Sequence, residues 1–468
     1  MVDREARRVM RLALALLLLA AGTGLAADVD WLNAPNGRME RVADPVFGGS
    51  VALYRAGKAG AEPVVLVHGL GKAGAEDWAK VMPALAERYD VYALDLHGFG
   101  QSDKGNHLYS PSNYARSLEG VLGQRLKGPF TLVGHSMGGA VALAFAAAYP
   151  ARVRRLVLVD AAGVLHRSVY AEYLGRAFAQ RTVGETRWLE QVLRVIQAEA
   201  ENLPSNTGLA LQRPEVRARL LRGDPGTIAA MALVDHDFSR GLRGLAMPTL
   251  IVWSSDDQIA PLRTGQALAS VIPGARLVVI PDAGHAPQIN APERFNAVLR
   301  DELRGRLDVQ PYALPRAGGA GRAAQCNSER GVEFTGDYSE LVLEGCVEVR
   351  ISAARIGKLV LVRSEAQLVN SHVREGIDAR ESRLQITGGS VAGNPPFTLD
   401  ASSVDAAGVR IEPRELVVAD NRGEEAVTLR ISISEVARAG GAPRFAHTAM
   451  RLVPDQSWTP RAGARPAR

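Results

Sequence analysis

One stretch constrains this chain more than any other: Leu132-Val133-Gly134-His135-Ser136-Met137-Gly138-Gly139-Ala140. An apolar run leads in, glycines stand two residues before and two after Ser136, and an alanine-rich run leads out. The pattern reads as a strand, a sharp turn and a helix, the form of a nucleophile elbow. The glycines have a steric reason. A serine on so tight a turn sits in strained backbone, and side chains at Gly134 or Gly138 would collide with the neighbouring strand and helix. An ordinary strand-to-helix turn can carry the same letters, so the flanking sequence has to separate the two.

The flanks alternate between β and α patterns. Residues 38–42 and 50–54 read as short strands around a glycine turn. Pro63-Val64-Val65-Leu66-Val67 is a continuous apolar run, as expected of a parallel strand buried on both faces, and it ends in His68-Gly69-Leu70-Gly71. Residues 76–88 show helical spacing through Trp78, Val81, Met82 and Leu85, and residues 91–94 form a further strand leading into the loop from Asp95 to Asp103. The alternation continues through the strand before Ser136, its helix to Tyr149, strands at 153–159, 248–253 and 276–280, and helices at 264–271 and 292–303. A doubly wound, mostly parallel sheet is expected. The pattern lapses over about 164–245, where Trp188, Val192 and Val195 share one helical face, so this segment reads as a helical cap inserted over the sheet.

Both ends of the chain differ from this middle. Arginines at 4, 7, 8 and 11, an apolar run over 12–20 and small residues up to Ala27 make residues 1–27 a cleavable export signal, with an uncleaved N-terminal membrane anchor as the alternative. Export places the protein in the periplasm or outside the cell. Residues 28–306 form the α/β domain, and prolines and glycines over 307–325 mark a linker. Short alternating runs then recur, opening on Cys346, Ser364, Ser382 and Ser402. The first three start 18 residues apart and the fourth 20 further on. That period implies an all-β repetitive domain over 326–455, either a small parallel β-helix or a β-sandwich. Residues 456–468 read as a disordered tail.

The chain holds two cysteines, Cys326 and Cys346. In an exported protein they can pair, and neither has a histidine near it in sequence to favour a metal or a catalytic thiol. Charged residues make up 22% of the 468 positions and the net charge is +5, with bases and acids interleaved, which gives no nucleic-acid patch.

Acyl transfer from a serine needs a base, an acid that orients the base, and N–H donors for the oxyanion. His285, in Asp282-Ala283-Gly284-His285, is the candidate base, while His135 is expected to pack or hydrogen-bond beneath the elbow. Asp256, Asp257 and Asp160 are candidate acids, each following a strand.

Taken together, the Ser136 elbow, His68-Gly69, the loop from Asp95 to Asp103, Trp253 to Pro261 and the Gly284-His285 loop resemble the α/β-hydrolase superfamily, in its capped, serine-nucleophile, esterase-like branch. The likeness covers about residues 50–305; the repetitive β domain is an addition to it. In that family the acid lies four residues after the strand's last large residue and four before a proline. Trp253 and Pro261 bracket Asp257 in that way, and Ser254 stands where the family usually has glycine. The resemblance thus implies a Ser136, Asp257, His285 triad and an oxyanion hole from the backbone N–H groups of Leu70 and Met137. It implies no metal or cofactor. Relatives that open epoxides or remove halides carry aspartate at the elbow, so serine here disfavours those reactions and leaves ester, thioester, carbon–carbon or amide cleavage and acyl transfer. A small-molecule ester or acyl compound is the expected substrate. The β domain is a candidate for binding a glycan, an envelope component or a protein partner.

Overall fold

The structure is a computed structural model, and it describes residues 34–71, 73–166, 169, 211–239, 241–313, 321–413, 419–423, 426–438 and 441–458. The expectations for the export signal and for the helix carrying Trp188 lie outside the described residues. Two compact units divide the chain, one ending at Pro311 and the other beginning at Tyr312, with Gln266–Pro273 grouped with the second.

The first unit is built on an eight-stranded sheet in the order β1-β2-β4-β3-β5-β6-β7-β8. These are β1 (Arg38–Ala43), β2 (Ser50–Gly57), β3 (Pro63–Val67), β4 (Asp90–Leu94), β5 (Phe130–His135), β6 (Val153–Val159), β7 (Thr249–Ser254) and β8 (Arg276–Ile280). β1, β2 and β4 pair antiparallel, and from β4 outward every pairing is parallel. The central strands β4, β5 and β7 are buried along their whole length, so their sequences show continuous apolar runs rather than alternation. β8 lies at the edge and is half-exposed.

Helices α1 (Met82–Ala86), α2 (Pro111–Leu122), α3 (Met137–Ala148), α4 (Pro214–Leu221), α5 (Pro225–Val234), α6 (Leu262–Val271), α7 (Pro287–Asn290) and α8 (Pro292–Leu303) connect or follow the strands. The single helix expected over 76–88 is instead a 3-10 turn, Gly74–Trp78, followed by α1. Pro83 accounts for the break: it has no N–H to donate, and its ring would strike the carbonyl one turn back, so it fits only in the first turn of a new helix. Of the cap, α4 and α5 are described. Buried Arg217 fastens α4 to the loop after β4, donating from Nε to Asn106 Oδ1 at 3.1 Å and from Nη2 to the Asn106 carbonyl at 2.9 Å. Asp224 caps α5, accepting from the Thr227 N–H at 2.8 Å. Among the described residues, no helix is long and apolar enough to cross a membrane.

The second unit is strand-rich. Strands β9 (Arg322–Asn327), β10 (Glu333–Glu344), β11 (Val349–Val362), β12 (Glu365–Val373), β14 (Arg383–Gly393), β16 (Ser403–Ala407) and β19 (Val427–Arg438) pair successively in parallel, one coil of chain on the next. β13 (Ile377–Arg380), β15 (Phe397–Asp400), β17 (Arg410–Pro413) and β18 (Ala419–Asn421) extend the stack, also by parallel pairing. The small residues that open the repeats occupy corners. Ser364, Ser382 and Ser402 accept in turn from the N–H of Cys346, Ser364 and Ser382 at 3.0–3.1 Å, and each hydroxyl donates to the carbonyl two residues back. A hydroxyl is needed there because the corner peptides are buried and have no strand partner. Cys326 and Cys346 are joined by a disulfide.

Two boundaries shift from expectation. β9 begins at Arg322, inside the stretch read as linker; Arg322-Ala323-Ala324-Gln325 has no strand-favouring residues and is held by pairing with β10. At the other end, Ser457 and Trp458 form β21, antiparallel to β18, so order extends past 456; residues 459–468 lie outside the described set.

Candidate active site

Ser136 follows the last residue of β5 with φ 52° and ψ −118°, a backbone outside the ordinary basins. Its neighbours make that conformation tenable. A Cβ on Gly134 would stand 2.2 Å from the Gly138 carbonyl oxygen, and one on Gly138 would stand 2.2 Å and 2.4 Å from those of Val67 and His68. Both glycines are therefore fixed by contact. The Ser136 N–H donates to the Val159 carbonyl at 2.9 Å, and its own carbonyl accepts from Gly139 and Ala162 at 3.0 and 3.1 Å. The turn is tied on both sides.

Because β5, β6, β7 and β8 run parallel, the loops after them emerge at one edge of the sheet. His285 lies in the loop between β8 and α7, and Asp257 in the loop after β7. The structure brings Ser136, His285 and Asp257 together. Asp257 is buried, and its Oδ2 accepts from His285 Nδ1 at 2.8 Å; His285 Nε2 lies 2.8 Å from Ser136 Oγ. With the proton on Nδ1, Nε2 is free to accept from the serine hydroxyl. Asp257 Oδ1 accepts from the N–H groups of Ile259 and Ala260 at 2.7 and 2.9 Å, which fixes the orientation of the carboxylate.

The other two candidate acids serve elsewhere. Asp256 Oδ1 accepts from the N–H groups of Ala283 and Gly284 at 3.0 and 2.9 Å, clamping the histidine loop to the acid loop. Asp160 accepts from the Ser254 N–H at 2.8 Å and from its hydroxyl at 3.2 Å. Burial, with the Asp257 charge added, pushes Asp160 well above the usual carboxylate range. Ser254, the departure from glycine, thus has its hydroxyl engaged.

Val67 of β3 pairs in parallel with Gly134 of β5, and Leu70 and Met137 each come three residues later in the sequence. Met137 opens α3, where the first N–H groups have no intrahelical acceptor. His68 shapes the turn before Leu70: Nδ1 donates to the Gly69 carbonyl at 2.7 Å and Nε2 accepts from the Leu96 N–H at 2.9 Å. Asp95 lies under the neighbouring loop, accepting from the Tyr54 hydroxyl at 3.0 Å and from the Ala75 and Gln101 N–H groups at 2.7 Å. Burial first, and then the Asp95 charge, raises the Tyr54 hydroxyl above its ordinary value. His68 and Asp95 stand in two of the motifs that carry the resemblance, whereas the tying role of Asp256 depends on which loops the fold places side by side.

Comparison with known proteins gives the family of the first unit. The family profile described as alpha/beta hydrolase fold matches residues 62–292. A Klebsiella pneumoniae protein provisionally named the carbamate hydrolase RutD is 33% identical over 262 residues, covering 53% of this chain and 94% of its own. A 2-hydroxy-6-oxononadienedioate/2-hydroxy-6-oxononatrienedioate hydrolase of Cupriavidus pinatubonensis is 32% identical over 258 residues, covering 52% of this chain and 88% of its own. Among solved structures, a thermophilic esterase from Thermogutta terrifontis aligns with 57% of this chain and 99% of its own at 30% identity, with a TM-score of 0.43. The family profile and the relatives at 32–33% identity account for about half of this chain, and the relatives are covered over most of their own length: the chain belongs to the alpha/beta hydrolase family.

Proposed function

We propose that this protein is an exported serine hydrolase that cleaves carboxylic esters through an acyl-enzyme. The observation that carries the reading is the continuous relay from buried Asp257 through His285 to Ser136, with both contacts at 2.8 Å. Ser136 Oγ attacks the ester carbonyl carbon while its proton passes to His285 Nε2. The oxyanion is held by the N–H groups of Leu70 and Met137, each such donor contributing about 2.7–4 kcal/mol in comparable sites. The tetrahedral adduct expels the alcohol, which takes the proton from Nε2. Water then attacks the acyl-enzyme with His285 again as base, releasing the acid and restoring Ser136. Asp257 keeps the histidine proton on Nδ1 throughout.

A second reading, carbon–carbon bond hydrolysis on the same three residues, is favoured by the likeness to the Cupriavidus enzyme. Comparing esters with 2-hydroxy-6-oxo-dienoates as substrates separates the two. The disulfide supports an oxidising, extracytoplasmic location. The parallel coils support a β-helix for the second unit, a scaffold suited to binding a glycan, an envelope component or a protein partner.

Ser136→Ala tests the main reading. It is expected to lower kcat for short p-nitrophenyl esters by about 10⁴-fold or more and to abolish labelling by a fluorophosphonate probe, with the melting temperature retained. A wild-type protein that neither turns over esters nor takes up the probe overturns it.

A further inference from the structure

Two groups beside the relay take no part in it: His135, the residue before Ser136, and Asp77, in the 3-10 turn Gly74–Trp78. His135 is buried, and its Nε2 lies 2.7 Å from the backbone carbonyl oxygen of His285. A carbonyl only accepts, so Nε2 carries the hydrogen and donates. The two imidazoles lie tilted at 50° with centroids 5.2 Å apart, and Trp78 meets His135 edge-on at 6.5 Å. On its other side, His135 Nδ1 lies 3.6 Å from Asp77 Oδ2, an electrostatic contact longer than a hydrogen bond. That same oxygen accepts from the Gly69 N–H at 3.1 Å, one residue before Leu70. Burial alone would raise the Asp77 carboxyl, but attraction to His135 and the Gly69 hydrogen bond outweigh it and hold the group below its ordinary value. Gly69 is packed tightly in this arrangement, since a Cβ there would stand 2.9 Å from His135 Nδ1 and 3.1 Å from Ser136 Cβ.

We propose that His135 and Asp77 are a positioning pair that holds the His285 peptide and the Gly69-Leu70 peptide in fixed relation across the nucleophile. The inference rests on the relay reading above. The histidine loop is anchored at Ala283 and Gly284 by Asp256, and at the Ala283 carbonyl by Asn290. At His285 itself the backbone anchor is the His135 ring. Without it the His285 ring can drift from Ser136 while the rest of the loop stays in place. Displacements of about 1 Å in such a geometry cost up to about 100-fold in rate.

The test compares His135→Gln, which keeps an N–H donor, with His135→Met, which has similar length and none, alongside wild type, Ser136→Ala and Asp77→Asn. Circular dichroism and melting temperature are recorded for each full-length protein. For a short p-nitrophenyl ester, His135→Met is expected to lower kcat about 10- to 100-fold with KM within about twofold, and to slow fluorophosphonate labelling in proportion. His135→Gln is expected to stay within about threefold of wild type, and Asp77→Asn to fall between the two. A folded His135→Met with wild-type kcat, or a His135→Gln impaired as deeply as His135→Met, overturns the proposal while leaving the relay standing. Should His135→Met not fold, Asp77→Asn decides, and wild-type kcat in that variant overturns the proposal. A wild type that is neither active nor labelled brings down the relay and this pair together.

Discussion

Ser136 and Ala401 share an uncommon backbone, a non-glycine residue at positive φ, 52° in one and 44° in the other. Their surroundings differ. Ser136 is supported by two glycines that clear space for it and by hydrogen bonds to β6 and α3, and the other positive-φ residues at the same ends of the parallel strands, Asp160 after β6 and Asp282 after β8, lie in loops of different length and sequence. Ala401 belongs to a column with Gly345, Arg363 and Glu381, all at positive φ and each placed just before a small corner residue. The N–H groups of Gly345, Arg363 and Glu381 donate to Val362, Arg380 and Asp400 of the next coil, all at 2.9 Å. Strain that does not repeat has to be supported by its own neighbourhood, as the two glycines support Ser136. Strain repeated at one position of every coil is shared by stacking, and it marks an architecture.

That contrast can be broken at several points. The largest effect is expected from Gly138→Ala, whose methyl group would fall against the Val67 and His68 carbonyls. Melting should register a loss of about 3 kcal/mol, and ester turnover a fall of about 100-fold, because the elbow and the oxyanion strand must separate. An active, stable Gly138→Ala would show that the isolated elbow needs no such clearance. Next comes Ser382→Ala, which strips the Ser364 N–H of its acceptor at a buried corner. It should destabilise the second unit by about 1–3 kcal/mol in a denaturant titration and leave turnover as in wild type. The smallest effect is expected from Ala401→Gly. Relief of the left-handed backbone, less the extra chain entropy of glycine, should stabilise that unit by about 0.5–1 kcal/mol. A loss of stability there would show that the stacked corner carries no strain to relieve.

Much of this was legible in the sequence where the physics is local. Buried parallel strands such as β3 and β5 read as unbroken apolar runs, and the corner serines announce themselves by spacing and size. Ser136, Asp257 and His285 each sit after a strand with recognisable turn residues. What stayed hidden depends on distant segments meeting. Asp256 and Asp257 are alike as letters and both face the histidine loop, one holding its backbone at Ala283 and Gly284 and the other the His285 ring. β9 is a strand by virtue of its neighbour rather than its residues. Helix α2 has a local signature of its own, Ser110 as its cap and Pro111 at its first position.

A stack of parallel coils has no internal stop, for its first and last strands offer unpaired backbone to the same strand of another copy. Here the last coil is overlaid by β20 (Gly441–Leu452), which runs antiparallel to β19 and carries Pro443, Arg444 and Arg451. A new coil would meet the wrong polarity, a missing donor at the proline and two cations. At the opposite end β9 is short, and the Cys326–Cys346 bond pins it to the turn after β10. Among the described residues, the parallel stack therefore ends at both sides in strands that a further parallel strand would pair with poorly.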